Sequence, residues 1–504
     1  MKKFMMTAIA VSFLFILAMP AMALEFELDG HYYVEGVYNE HPDLRDNHQN
    51  DYLAMELRLK PKFTFSDNVK LITRFDAVGR KWGTSDNSQI STYTVDSYNA
   101  AGTLVGRKSV TSVDDDDEFK DDANIDWDWA YLQLKTSIGL FLVGRKNGGT
   151  WGTSFIDSAN PEDRLTWVVP INNLYLGATY EKNANFDSDD VTEGNSDNDK
   201  YYLSATYRGE GFKAGLLYGL YKYKTFQDMA QAADTAAALQ LANDAGYDLA
   251  NYLGLTLGGA SPVGGILFGD ILAAGIDPGN IGATTKGTAH LFSPYIEGKF
   301  GSFGIKGELS YVTGEADYDH INNAGKDTKD VSLMAYNLEG AFDVGPATFQ
   351  AGFARSSGDA DYTDDKVESH GYLETGHDWA KTLILYSDIV GLEKTLGGLG
   401  NPVGGGKAGL DGYQVYYFGV DYNVMDNLTL GAIVAKSKAD DVIAGWDDDH
   451  GLEYDLTLNW KIFDNVTYTA TYAALDAGDY WEAGNPATKV EDTFVLYHRL
   501  ELLF

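Results

Sequence analysis

The stretch YLAMELRLKPKFTF, residues 52–65, decides the fold. Leu53, Met55, Leu57, Leu59, Phe63 and Phe65 fall on one face, and Glu56, Arg58, Lys60, Lys62 and Thr64 on the other. This is period two, a strand with one apolar and one charged side. A soluble sheet turns such charge out to water, whereas a membrane barrel turns it in to a water-filled lumen. The residues on either side of the stretch choose between the two.

The three turns FSDNVKL (65–71), VMDNLTL (424–430) and FDNVTY (463–468) are nearly the same, and others are built on glycine, as in GEGFKAG (209–215), FGSFGIKG (300–307) and VGPATF (344–349). Long polar loops alternate with these short turns, so one end of the sheet is trimmed and the other elaborated. Transmembrane barrels have that anatomy, with short periplasmic turns and long external loops. The composition agrees: 33 Tyr, 24 Phe and 55 Gly against 11 Pro supply strands and turns rather than helices. Counting the alternating segments gives eighteen strands, with sixteen as the alternative. Most reach roughly nine to eleven residues, enough for a tilted crossing. The expected fold is therefore all-β, an antiparallel up-and-down transmembrane β-barrel.

Lys2 and Lys3, the apolar run from Phe4 to Leu17 and Ala21-Met22-Ala23 read as a signal peptide, residues 1–23, cleaved after Ala23. Residues 24–504 then form one barrel domain with loop inserts at 83–124, 147–163, 225–289 and 356–410. No cysteine is present, which removes disulfide scaffolds, thiolate metal sites and covalent haem attachment. The net charge of −36 deepens to −38 when the two signal lysines leave, so the chain repels nucleic acid and favours cations.

Two segments narrow the class. In FVLYHRLELLF (494–504), Phe494, Leu496, His498, Leu500, Leu502 and Phe504 share a face. The segment resembles the recognition strand of bacterial outer-membrane barrels, with Phe504, Leu502 and Leu500 as the assembly signal and His498 as the departure from an apolar row. AYLQL and IGLFLVGRKNG, residues 130–134 and 138–148, resemble the fourth and fifth strands of trimeric bacterial porins. That resemblance implies an outer-membrane channel for passive diffusion of ions and small hydrophilic solutes, assembled as a homotrimer, with lipid, lipopolysaccharide and the barrel-assembly machinery as partners. It also implies a third external loop folded into the lumen. NPEDR (160–164) stands where that family carries its usual loop segment.

On this reading Asp157, Glu162 and Asp163 supply the acidic side of a constriction. Arg58, Lys60, Lys62, Arg74 and Arg145, all assigned to inward positions, supply the basic side. A transverse field between fixed charges biases which solutes pass, and the acidic loops favour cations at the mouth. A substrate-preferring channel for a sugar, carboxylate or amino acid is the alternative, with a barrel enzyme further off. The nine histidines are scattered. GLGNPVGGGK (398–407) fails as a phosphate loop, because Asn401 replaces its first glycine and Ala408 follows the lysine. No metal site or cofactor is expected beyond weak Ca²⁺ binding by the acidic loops at 114–122 and 187–199. GHDWAKTLILYSDIVGL (376–392) is too apolar for an exposed loop and is expected to pack into the vestibule. The insert at 225–289 reads as a lid over the mouth or a contact between protomers.

Overall fold

A computed structural model describes residues 25–42, 44, 49–82, 90–98, 104–113, 126–148, 151–156, 161–184, 198–223, 284–319, 326–359, 366–370, 379–387, 411–442, 445–482, 486–487 and 489–504. The expected signal peptide, the acidic Ca²⁺ candidate at 114–122 and all but the last two residues of that at 187–199, the phosphate-loop look-alike, most of the 225–289 insert and Asp157 lie outside these residues.

Eighteen antiparallel strands close into a barrel. They are β1 (Glu25–Glu40), β2 (Gln49–Ser66), β3 (Val69–Lys81), β4 (Asp126–Thr136), β5 (Gly139–Asn147), β6 (Pro161–Ile171), β7 (Leu174–Ala184), β8 (Asn198–Gly209) and β9 (Phe212–Tyr223). There follow β10 (Thr284–Phe300), β11 (Phe303–Asp319), β12 (Lys326–Val344), β13 (Ala347–Ser356), β14 (Tyr413–Met425), β15 (Leu428–Lys438), β16 (Asp449–Phe463), β17 (Val466–Ala477) and β18 (Thr493–Leu503). Each pairs with its sequence neighbours, and β1 pairs with β18 from His31↔Leu503 to Glu40↔Phe494. Gly30 and Phe504 exchange both backbone hydrogen bonds, at 2.8 and 3.0 Å, at the foot of this seam. The barrel of about eighteen strands read from the sequence is the one observed. The insert expected at 225–289 is shorter at its far end, because β10 begins at Thr284. A hairpin, Ile90–Tyr98 with Leu104–Val113, lies in the stretch taken as the loop 83–124. A two-residue strand, Lys366–Val367, runs parallel to β12 where β13 has ended.

The short turns sort by chemistry. Gly211, Gly301 and Gly345 take φ of 76, 63 and 58°, the left-handed values that a two-residue hairpin with matched twist demands. The three Asp-Asn turns instead carry a register shift just before the turn, at Thr64/Ser66, Asn423/Met425 and Lys461/Phe463. An extra residue restores the twist that such a turn lacks.

The outer wall is apolar. Leu203, Leu216, Leu338 and Leu456 are 54–59% exposed at mid-height. Tyr416 and Trp127 lie toward the external end of their strands, and Phe342, Phe463 and Phe504 toward the periplasmic end. An apolar band between two aromatic girdles is what lipid requires of a barrel. The buried apolar cluster lies inside the barrel, where residues of the loops after β1, β5, β13 and β17 meet the inner wall of β12–β18: Leu44, Phe155, Leu385 and Trp481 join Val415 and Val495.

Candidate pore constriction

Among the described residues, two of the inward loops are anchored on acids of the inner wall, Glu308 and Glu453. The one after β5, described at Gly148 and from Trp151 to Ile156, leaves its own strands and docks on β10 and β11. Trp151 Nε1 donates to the Ser293 carbonyl at 3.1 Å, and its ring stands edge-on to Tyr295 at 5.0 Å. Thr153 donates through its amide and its hydroxyl to one oxygen of Glu308, at 2.7 and 2.8 Å. Gly152 between them has φ 74°, and a Cβ there runs into the Glu308 carboxyl group. Only glycine lets the chain pass so close to that acid. Phe155 is then 1% exposed, edge-to-face with Trp379 at 5.2 Å.

Trp379 belongs to the loop after β13. Glu453 on β16, fully buried, accepts the amides of Ile384 and Leu385 at 2.6 and 2.8 Å, and Asp455 accepts that of Leu383 at 2.9 Å. Backbone N–H groups taken into an apolar packing need such acceptors. Lys381 pairs with Glu339, which also accepts from Tyr417 Oη at 2.8 Å. Leu383, Ile384, Leu385 and Tyr386 sink into the inner cluster. The described part of the apolar run, residues 379–387, thus packs inside the barrel, as its composition indicates.

Earlier in the same loop, His370 is buried with Nε2 2.9 Å from Ser310 Oγ, and burial pulls its pKa down to about 4. Asp411 accepts from Tyr480 Oη at 2.6 Å. Burial pushes its carboxyl up to about 6, the Tyr480 bond opposing and the nearby Asp441 reinforcing the shift.

The sequence-derived charges distribute unevenly. Arg58 forks onto Asp76 at 2.6 and 2.7 Å and lies 3.5 Å from Glu56 and 3.8 Å from Asp128. Arg74 holds Asp128 at 2.8 Å with its guanidinium 3.8 Å over Trp129, and Lys60 sits 5.3 Å from the same ring. Lys62 pairs with Glu27 lower on the wall. These four basic residues face the lumen as read, paired with acids of their own wall. Glu162 also faces inward, opposite Lys146 and against Gly148. Beside it Arg164 and Lys200 share Glu181, the latter at 3.2 Å.

Arg145 and Asp163 are corrections. Val143 and Leu165 are 36% and 42% exposed to the lipid side, and alternation carries Arg145 and Asp163 onto that same outer face. They form a 3.5 Å pair, 49% and 64% exposed, near the external rim. Charge is tolerated there because the position stands at the end of the strand, above the hydrocarbon. Sequence reading missed Glu308, Glu453, Asp455 and Lys381. The signal was present: LEYDL (452–456) puts two acids on the lumen face with no basic residue on adjacent positions of the strand. Such acids require partners from elsewhere.

No protein-family model matches the sequence, and no curated protein matches it. Solved structures do. OccAB1 of Acinetobacter baumannii is similar at 10% identity over 95% of this chain and 96% of that one, with a TM-score of 0.50. OccK8 (OprE) of Pseudomonas aeruginosa is similar at 11% identity over 95% and 98%, with a TM-score of 0.47. At such identity the likeness is one of fold alone, a closed antiparallel β-barrel.

Proposed function

We propose that the chain is an outer-membrane porin that passes ions and small hydrophilic solutes by passive diffusion, with a mild preference for cations. The observation that carries this reading is the pair of loops folded into a closed barrel, which narrows the lumen and leaves charged side chains along β2–β8 facing water. Fixed charges of both signs there impose a field on whatever passes, and rings of charge bias ion entry. Glu162, with Lys146 and Arg164 beside it, and the Arg58–Arg74 network are the wall elements that set the bias. The net charge of −36 concentrates cations at the mouths. A homotrimer and contacts with lipopolysaccharide belong to the same reading.

The test is conductance in planar bilayers. Stepwise currents with a reversal potential of cation sign at low salt, shrinking as salt rises because exposed charge is screened beyond about 10 Å at 0.1 M, are expected. Anion selectivity at low salt would overturn the preference, and absence of any conductance would overturn the channel.

A further inference from the structure

Glu453 and Asp455 stand two positions apart on the lumen face of β16, and both are buried. Their carboxyl groups lie within hydrogen-bonding reach of each other. The register sets Ala435 and Leu475 on either side of the first, and Ile433 and Ala473 on either side of the second, so neither adjacent strand brings a base to them. Lys381, beside Thr382 in the inward loop, is turned to Glu339 instead. Among the described residues no Lys, Arg or His forms an ion pair with either acid. Two carboxylates held together out of water are costly without a counter-charge.

The amides of Leu383, Ile384 and Leu385 meet three of the four carboxyl oxygens. The fourth, Asp455 Oδ1, is buried and has no hydrogen-bond partner. Thr382, 3% exposed, faces Glu453 from the loop, yet its Oγ1 completes no hydrogen bond. A carboxylate oxygen carries two lone pairs, so each amide leaves one to spare. Unspent oxygen donors from the strand and from the loop thus converge on one buried, negatively charged point. Such a donor set suits a hard cation. Mg²⁺ keeps several waters, for which an apolar packing has no room, whereas Ca²⁺ accepts irregular oxygen shells and carboxylates bound through one or both oxygens. Its charge of two cancels that of the pair.

We propose that Glu453, Asp455 and Thr382 bind a calcium ion that clamps the loop after β13 to the wall of β16. Asp455 Oδ1, a Glu453 oxygen and Thr382 Oγ1 are the side-chain ligands, while the three amides keep the carboxylates oriented. The ion enters only when the loop lifts, so binding and docking are linked: calcium stabilises the docked loop, and docking raises the affinity for calcium. The aperture then follows the calcium activity of the surrounding medium. The site itself stands without the outer-membrane channel reading; only its effect on conductance rests on that reading.

The full chain, folded in lipid vesicles and stripped with a chelator, is titrated with Tb³⁺, whose emission is sensitised by Trp379 and Tyr386 of the same loop. An ion enclosed by side chains holds no water, so its emission lifetime is the same in H₂O and D₂O; ions on exposed acidic loops decay faster in H₂O. One water-free ion per chain, displaced by Ca²⁺, is expected. Glu453→Gln and Asp455→Asn should each abolish it, and Asp464→Asn, on an exposed turn, should keep it. Retained heat-dependent gel mobility identifies the variants that fold. Thr382→Val leaves the three amide bonds in place and should weaken Ca²⁺ competition at least about tenfold. Absence of the water-free ion in folded native protein, as when the two acids merely share a proton, overturns the proposal, and so does its persistence in both acid variants. Chelation should also make the open channel flicker several times more often, and unchanged flicker overturns the clamp. Terbium binding is read without current, so failure of the site and failure of the channel reading are told apart.

Discussion

Phe155, from the loop after β5, and Trp379, from the loop after β13, meet edge-to-face at 5.2 Å inside the barrel, although 224 positions separate them in the chain. Each loop is separately anchored, one on Glu308 and the other on Glu453. The aromatic contact therefore couples two loops that would otherwise move apart independently.

Phe155→Ala should loosen both loops. Removing a buried phenylalanine costs about 3–5 kcal/mol in a packed interior. Single-channel recordings should show more frequent flicker, and Trp379→Ala should add little to it. Additive effects of the two substitutions would show that the loops are uncoupled.

Glu308→Ala removes two hydrogen bonds to a charged acceptor, each contributing about 1.5–3 kcal/mol. Gly152→Ala should act in the same direction, because its φ and the nearby carboxyl group leave no room for Cβ; strain of this kind costs about 1–3 kcal/mol. Both variants should raise mean conductance and admit larger neutral solutes in a liposome-swelling assay.

Glu162→Gln and Asp163→Asn form a matched pair of adjacent substitutions. Glu162 faces the lumen and Asp163 the outside. Reversal potentials should move toward anions for the first and stay unchanged for the second. A change for Asp163→Asn would contradict the orientation of β6.

The loop after β13 carries two opposed pH dependences. His370, held down to about 4, stabilises docking fully above its ordinary pKa of 6.5 and loses that contribution as pH falls toward 4, because only the undocked ring takes up the proton. Asp411, held up to about 6, stabilises docking fully below its ordinary 3.8 and loses that contribution as pH rises toward 6. Each is worth about 3 kcal/mol at most. Between pH 4 and 6 the two oppose, so the native channel should change little. Asp411→Asn should flicker more as pH falls through that window, and His370→Gln more as it rises.

The wall was legible in the sequence because period two is a local property: each strand carries its own record of which side meets lipid. The seam was legible too, since Phe504 and its alternating neighbours mark the strand that meets β1. The interior of the lumen was less so. Arg145 was assigned to the wrong face because a strand's end holds charge on either side, and only Val143 two residues earlier fixes the phase. Arg58 and Arg74 were read on the correct face, but their partners Asp76 and Asp128 lie on neighbouring strands whose register no single strand reveals. Loop docking was half visible: the apolar run at 376–392 signalled burial, while its acceptors Glu453 and Asp455 looked like two more lumenal acids.

Leu383, Ile384 and Leu385, with Phe155 above them, fill the half of the interior beside β12–β18 as a soluble protein fills its centre. Circumference and aperture are thus separate variables in this molecule. Strand number fixes the first, and a handful of aliphatic and aromatic side chains on inward loops fixes the second. A lineage of such barrels can retune what it admits by exchanging loop residues one at a time, with the lipid-facing wall and its insertion left untouched.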